Sequence, residues 1–279
     1  RAVDLFVPLP RGGDILITGN EGAGSTVLGN EIVQRLLEHA TEDFHVSYFL
    51  DEKLEDHGVR LAEMDEILPT LTNRYTLETI TDDDIRRQSL ERKSGHTVIF
   101  ITSDNQRFLQ IARDSIKRVR ENSLFPNGLT TVTVTGCSPM SEFDARIECS
   151  RMIANQGIYP AIDPGSSHSS VYSDPAVLRR QQQIADAASK AIAGLTQTIY
   201  EGAAQDSEWA YNQDANKRPA LQALCFMSQT FFTAEVYTGK KAAFVPIPEM
   251  INDFATILSG KKKNIATNEF MYTGSLPKV

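Results

Sequence analysis

The fold is decided by one stretch near the start of the chain, Asp14-Ile15-Leu16-Ile17-Thr18-Gly19-Asn20-Glu21-Gly22-Ala23-Gly24-Ser25-Thr26. Its short apolar run predicts a β-strand at residues 14–18, and the helical spacing of apolar residues over 25–37 predicts a helix. A glycine-rich turn joins the two elements, which is where phosphate-binding loops occur. The stretch therefore predicts the opening strand, loop and helix of an α/β domain.

The loop at residues 19–26 has the spacing of the motif G-x-x-x-x-G-K-[ST], with Ser25 in place of the lysine. Loops of this kind direct backbone N–H groups at phosphates, while the lysine reaches the β- and γ-phosphates and the Ser/Thr hydroxyl joins Mg²⁺. Thr26 keeps the hydroxyl, but Glu21 adds a negative charge that repels phosphate. Two interpretations stay open: a phosphate-binding loop of reduced affinity, and a glycine-rich turn with a structural role.

The rest of the chain repeats the alternation of strands and helices. Runs of apolar and β-branched residues predict strands at 45–50, 97–102 and 129–135, and charged amphipathic stretches predict helices at 54–67 and 81–94. Helical spacing also predicts helices at 142–155, 174–200 and 217–227. Because strands separated by helices require a parallel sheet covered on both faces, we expect an α/β core with a mostly parallel sheet and a smaller helical C-terminal domain.

Composition narrows the classes of function. The 279 residues carry 36 acidic and 28 basic side chains, a formal net charge of -8, which argues against a nucleic-acid surface. No uncharged apolar run reaches the roughly 18 residues of a membrane-spanning helix, so any membrane contact is expected through partners. Cys137, Cys149 and Cys225 lack the spacing of a disulfide framework or zinc site and predict buried free thiols in a reducing compartment.

Three dispersed segments resemble the catalytic β subunit of rotary ATP synthases, in that family's order. The first covers residues 3–13, the second is Gly157-Ile158-Tyr159-Pro160-Ala161-Ile162-Asp163-Pro164, and the third is Phe226-Met227-Ser228-Gln229-Thr230-Phe231-Phe232-Thr233-Ala234-Glu235-Val236-Tyr237-Thr238-Gly239. The resemblance implies a RecA-like core at 1–174 and a mainly helical part at 175–279, which carries the adenine-pocket-like segment 226–239. The family's N-terminal barrel has no counterpart in these residues.

The resemblance also implies roles for individual residues. Glu52 takes the place of the family's glutamate that positions the attacking water, and Arg107 matches its phosphate-contacting arginine. A solvated charged surface is the alternative for Glu52, and a surface ion pair is the alternative for Arg107. Counting back from Arg107 places Ser103 where the family has the aspartate of the Mg²⁺ shell, with Asp104 one residue further on.

Nucleotide-binding residues follow from the same resemblance. The aromatic positions that cradle the base correspond to Tyr159, Phe231 and Tyr237, for which core packing is the alternative. The phosphate loop contributes Gly19, Gly22, Gly24, Ser25 and Thr26, and Thr26 is also the candidate Mg²⁺ ligand. With the loop lysine and the strand-end aspartate replaced, ATP or ADP with Mg²⁺ is expected to bind weakly or not at all.

These observations predict a catalytically inactive relative of the β subunit, acting as a structural or regulatory subunit of a rotary ATP synthase or a related complex. Its expected partners are protein subunits of that assembly, including those of ATP synthase itself. Its expected location is the matrix side of the inner mitochondrial membrane or the cytoplasm. One alternative is a nucleotide-binding module or slow ATPase in which Lys53 or another cation replaces the lysine. Another is an interaction protein that uses a surface inherited from the ring.

Overall fold

The computed structural model describes residues 1–39, 44–67, 75–80, 96–121, 128–137, 142–174, 179–202, 216–233, 235, 239 and 241–276. It divides into two compact units. The sheet unit is Pro10–Arg146, and the helical unit consists of Arg1–Leu9 and Ile147–Val279. The predicted boundary after residue 174 lies within the helical unit and stays a prediction.

Helices and strands alternate through the first half of the chain, and helices dominate the second half. In chain order they are α1 (Ala2–Phe6), β1 (Asp14–Gly19), α2 (Ser25–His39), β2 (Phe44–Asp51), α3 (His57–Ile67), β3 (Tyr75–Ile80), β4 (His96–Thr102), α4 (Gln106–Glu121), β5 (Leu129–Thr135), β6 (Ala145–Cys149), α5 (Arg151–Asn155), β7 (His168–Ser169), α6 (Arg179–Gly202), α7 (Arg218–Phe226) and α8 (Ile247–Leu258). Short 3₁₀ turns lie at Ser170–Ser173 and Thr267–Phe270.

The sheet unit is built on five strands in the order β3-β2-β4-β5-β1, and each neighbouring pair is parallel. Every residue of β4 and β5 is buried. Burial on both faces explains why these strands read as continuous apolar and β-branched runs without polar alternation. The predicted fold class is confirmed: the chain is α/β with a mostly parallel sheet, as in a RecA-like core.

Helices cover the two faces of this sheet. On one face, Phe108, Ala112 and Ile116 of α4 pack against strand residues that include Phe49, Ile99 and Ile101. On the other face, Gly29 of α2 lies so near Val134 that an added Cβ would approach the valine Cγ2 to 3.0 Å. Tyr48 and Phe100 stack on this second face with ring centroids 5.7 Å apart. Side chains of both helices therefore seal the strands from water.

The helical unit has an aromatic core. Phe226, at the end of α7, packs edge-on against Phe254 of α8 and Phe270, with ring centroids 5.2 and 6.4 Å away. Phe6 of α1 contacts Phe254 from the other side at 6.1 Å. The guanidinium of Arg1 lies 4.0 Å from the centroid of the Phe226 ring and donates to the carbonyl oxygen of Phe226 at 2.5 Å. Burial lowers the pKa of Arg1 to about 10, although Asp253 and Glu249 oppose the shift.

Most predicted elements are confirmed, and two differences have a clear cause. The predicted helix at 142–155 is wrong, because Ala145–Cys149 is a strand and the helix covers only Arg151–Asn155. Residues 145, 147 and 149 are buried and alternate with half-buried residues, which is a period of two. Strand β3, rich in β-branched and aromatic residues, was missed. The helix predicted at 81–94 lies outside the described residues.

Candidate functional site

The carboxyl edge of the sheet, where β1, β2, β4 and β5 end, brings the predicted phosphate loop together with polar side chains. Parallel strands place all their carboxyl ends at one edge. Thr18 donates a hydrogen bond to the carbonyl oxygen of Cys137 at 3.4 Å, which joins the ends of β1 and β5. A Cβ added to Gly136 would lie 3.8 Å from the carbonyl oxygen of Gly19 and 3.4 Å from Oδ1 of Asp104. This edge is the candidate site.

The glycine loop is the first component of the site. Gly22 and Gly24 have φ angles of +79° and +83°, a region that side chains with a Cβ rarely adopt. The amide of Ala23 donates to the carbonyl oxygen of Asn20 at 2.9 Å and closes the turn, and α2 begins at Ser25. The predicted phosphate-loop residues therefore form one continuous segment from the end of β1 to the first turn of α2: Gly19, Gly22, Gly24, Ser25 and Thr26.

Arg60 of helix α3 supplies a positive charge to this loop. Its Nη1 donates a hydrogen bond to Oγ1 of Thr26 at 3.0 Å, and its Nε donates to Oδ2 of Asp56 at 2.6 Å. The Arg60 side chain is 17% exposed, so the pair is only partly open to solvent. Sequence reasoning named Lys53 as a substitute cation and missed Arg60. The one available signal was the i,i+4 spacing of Asp56 and Arg60, typical of an ion pair on a helix.

The positive charge of Arg60 also acts on the buried hydroxyl of Tyr48. The Tyr48 hydroxyl lies 2.7 Å from Oγ1 of Thr102 and donates to Oδ1 of Asn30 at 3.4 Å. Burial raises the pKa of Tyr48, while the Thr102 hydrogen bond and the charge of Arg60 act in the opposite direction. A polar network therefore connects β2, β4 and α2 directly beneath the site.

A buried pair, Ser103 and Asp51, lies where the resemblance places the strand-end aspartate. Ser103 follows β4, is fully buried, and donates from its hydroxyl to Oδ2 of Asp51. Asp51 ends the neighbouring strand β2, is 1% exposed, and accepts a second hydrogen bond from the amide of Lys53 at 3.0 Å. The amide of Asn105 donates to Oγ of Ser103 at 3.0 Å. A carboxylate is therefore present beside Ser103, but it comes from the adjacent strand and is held away from solvent.

The two predicted catalytic side chains lie on the surface. Glu52 and Arg107 are both exposed, at the end of β2 and in the first turn of α4. The backbone amide of Arg107 donates to Oδ1 of Asn105 at 3.0 Å. Asp104 accepts from the amide of Gly136 at 2.6 Å and the hydroxyl of Thr135 at 3.2 Å, so its carboxylate joins the ends of β4 and β5. The roles of Glu52 and Arg107 stay predictions.

The oxygen atoms of Thr26 and Asp51 at this edge are engaged in hydrogen bonds within the domain and are not arranged as Mg²⁺ ligands. Mg²⁺ requires near-octahedral oxygen ligands at about 2.0–2.1 Å. Oγ1 of Thr26 already accepts from a guanidinium, and the carboxylate of Asp51 is buried and engaged in hydrogen bonds. Within the described ranges, no group of three or more His, Cys, Asp or Glu side chains has the arrangement of a metal site.

The predicted base-binding residues belong to the helical unit. The amide of Gln229 donates to the carbonyl oxygen of Tyr159 at 2.8 Å, which places the segment that leads to Phe231 beside Tyr159. Tyr159 is 37% exposed, whereas Phe231 is 7% exposed and fits the core-packing alternative. Tyr237 lies outside the described residues.

Tyr272 is a further aromatic residue at this place, which sequence reasoning missed. It donates from its hydroxyl to the carbonyl oxygen of Gly157, and its amide donates to Oγ of Ser228 at 2.8 Å. Burial raises the pKa of Tyr272; the side chain of Tyr159 adds to this effect, whereas a hydrogen bond to the Tyr159 backbone opposes it. Because residues 157 and 272 are far apart in the chain, no local pattern could have connected them.

The three cysteines are free thiols, as predicted, but the prediction that all three are buried is wrong for Cys137. Cys149 and Cys225 are buried, and burial raises the pKa of both thiols to about 12. Cys137 is half-buried at the carboxyl edge, and its Sγ lies 2.8 Å from the carbonyl oxygen of Asp104.

No model of a known protein family matches this chain. The likeness to rotary ATP synthases therefore rests on the quoted segments and stays a resemblance. In the part of the chain that the structure describes, no helix has both the length and the apolar character needed to cross a membrane.

Proposed function

We propose that the chain is a catalytically silent relative of the ATP synthase β subunit and acts as a structural or regulatory subunit of a protein assembly. The observation that carries this proposal is the hydrogen bond from Arg60 to Thr26 Oγ1, 3.0 Å long. In loops of this type the hydroxyl serves Mg²⁺. Here it serves a guanidinium, and Ser25 has replaced the lysine that reaches the phosphates.

The state of the neighbouring carboxylate supports the same proposal. Phosphoryl transfer depends on positioning and on charges that neutralise the developing negative charge. The resemblance places Ser103 at the position of the family's Mg²⁺-shell aspartate. Its hydroxyl donates a hydrogen bond to the buried carboxylate of Asp51. Both hydroxyls, of Thr26 and of Ser103, make hydrogen bonds within the domain, which supports a structural role for this edge.

The test is a measurement of ATP hydrolysis by the full chain after stringent purification. We expect no Mg²⁺-dependent turnover above that of an identically prepared Glu52→Gln variant. Turnover that persists through purification and disappears in Glu52→Gln would contradict the proposal, because it would assign the reaction to this chain and to that carboxylate.

The second candidate is a nucleotide-binding module in which Arg60 substitutes for the missing lysine. The same contact favours it, because a guanidinium at the loop is a charge-assisted donor for phosphate oxygens. Calorimetric titration with ATP at a protein concentration of about 100 μM would detect weak sites. Saturable binding that falls in Arg60→Gln supports this candidate, and the absence of binding in the wild-type chain removes it.

Membership of an assembly is tested separately from nucleotide binding. We expect the tagged full chain to copurify with defined protein subunits in a reducing compartment, the mitochondrial matrix or the cytoplasm. Recovery of ATP synthase subunits in fixed stoichiometry supports a role in that complex. Recovery of a different stable set of proteins supports a related complex, and recovery of the chain alone as a monomer contradicts the proposed role.

A further inference from the structure

Arg60 and the divalent cation compete for the same acceptor atom. The Thr26 hydroxyl oxygen has the Arg60 Nη1 at 3.0 Å, and the loop around it bends through Gly22 and Gly24. A Mg²⁺ ion bound to Oγ1 at about 2.0–2.1 Å would lie within a few ångströms of the guanidinium. Two cations at that separation repel one another, and the Asp56 carboxylate paired with Arg60 offsets only part of that repulsion.

The guanidinium is held at this place by a second contact. Nε of Arg60 donates to Oδ2 of Asp56 at 2.6 Å, and Asp56 immediately precedes α3. The Arg60 side chain is 17% exposed and the Asp56 side chain 50% exposed, so the guanidinium is largely shielded from solvent while it contacts both partners. Arginine also keeps its charge over the whole physiological range of pH.

We propose that Arg60 replaces the divalent cation at the glycine loop, so that a polyphosphate group is bound there as the metal-free anion. This inference rests on the second candidate function, the nucleotide-binding module. It reverses the usual role of Mg²⁺: the metal lowers the affinity of the loop for polyphosphate, because it neutralises the charges that Arg60 recognises and is itself repelled by the guanidinium.

The probe is inorganic tripolyphosphate, which isolates the loop from any contribution of a base. The full chain is titrated calorimetrically in EDTA and again in saturating Mg²⁺. We expect binding in EDTA and an affinity roughly tenfold lower in Mg²⁺, the size of one charge-assisted contact. In Arg60→Gln we expect the affinity in EDTA to fall by about tenfold and the difference between the two buffers to disappear.

A matched control removes the same charge elsewhere. Arg118 is exposed near the carboxyl end of α4. At that end of the helix, Arg120 donates to Asp14, the first residue of β1, whereas the glycine loop follows the last residue of β1. Arg118→Gln should therefore bind tripolyphosphate as the wild type does in both buffers. Circular dichroism melting of Arg60→Gln and of Arg60→Lys, which keeps the charge, separates a loss of binding from a loss of folding.

The outcomes are distinct. Tighter binding in Mg²⁺ than in EDTA overturns the inference and leaves the nucleotide-binding candidate intact. Unchanged affinity in a folded Arg60→Gln variant also overturns it. Absence of binding by the wild-type chain in both buffers overturns the inference together with that candidate, and leaves the catalytically silent subunit as the proposed function.

Discussion

The hydroxyl of Ser103 donates a hydrogen bond to the carboxylate of Asp51, and this contact joins the carboxyl ends of two neighbouring parallel strands, β4 and β2. Both residues are almost completely buried. A serine suits this place because its hydroxyl donates a hydrogen bond to a carboxylate that has little access to water. Ser103 and Asp51 are therefore expected to depend on one another for their stability in the interior.

Introducing an acidic residue at position 103 should destabilise the domain. In Ser103→Asp two carboxylates would share a buried place, and one of them would have to take up a proton or remain unpaired. We expect the free energy of unfolding at pH 7 to fall by roughly 2–4 kcal/mol, measured by urea denaturation. The loss should shrink by at least about 1 kcal/mol when Asp51→Asn is added. Equal losses in both backgrounds would contradict direct coupling.

Asp14 should contribute to stability against acid. Burial alone would raise its pKa, but hydrogen bonds from Arg120 and Thr131 and the charges of Arg120 and Arg113 lower it below its usual value. The folded state then binds fewer protons than the unfolded state, so this contribution is complete above the ordinary aspartate pKa of about 3.9 and is lost as the pH falls through the lowered value.

The corresponding variant is Asp14→Asn. We expect it to lose roughly 1–3 kcal/mol of unfolding free energy at pH 7 and to show a smaller decrease in stability between pH 5 and pH 2. Asp114→Asn, at an exposed position of α4, is the control and should keep the wild-type acid dependence. An Asp14→Asn acid limb as steep as that of the wild type would show that other groups carry the effect.

The thiols should differ in reactivity. Burial raises the pKa of Cys149 and Cys225 to about 12, whereas Cys137 is half-buried. Because the thiolate is the reacting form, one thiol per chain should react rapidly with a disulfide reagent at pH 8, and two should react only on unfolding. Cys137→Ser should abolish the rapid phase. Any rapid phase that remains in that variant would contradict the burial of Cys149 or Cys225.

Of the two predicted base-binding residues that the structure describes, Tyr159 is the more accessible, because it is 37% exposed while Phe231 is 7% exposed. If the predicted base-binding role is correct, Tyr159→Ala should weaken the binding of adenosine by at least about tenfold, since stacking on an aromatic ring contributes roughly 1–3 kcal/mol. Calorimetry with adenosine is the measurement. Phe244→Ala, at a 65% exposed aromatic of the same unit, should leave the affinity unchanged. Equal losses in both variants would indicate non-specific contact.

Local pattern predicted the strands and the loop well, since these depend on neighbours in the chain. The run at 129–135 was expected as a strand and is β5 over the same residues. The failure at 142–155 has the same origin: five residues of alternating burial were too short to outweigh the helical spacing around them. Strand β3, by contrast, has the β-branched composition that would have revealed it.

Contacts between residues far apart in the chain could not be predicted from local sequence pattern. Arg60 and Thr26 are 34 positions apart, and Ser103 and Asp51 are 52 apart. Glu52 was favoured as an acidic site residue because of its place in a motif, yet its neighbour Asp51 is the carboxylate that lies within the polar network. A one-residue step along a strand reverses the face of a side chain, and only the pairing of β2 with β4 reveals which face is buried.

The sequence by itself determined the α/β class, the strand–loop–helix at residues 14–37 and the free thiols, because apolar periodicity, glycine content and cysteine spacing act over short distances. Only the tertiary structure decided which charges meet at the loop. Parallel pairing brings the ends of distant strands to one edge, and α3 then carries Arg60 onto Thr26. The chemistry of the candidate site depends on that juxtaposition, since side chains interact electrostatically according to their separation in space and not along the chain.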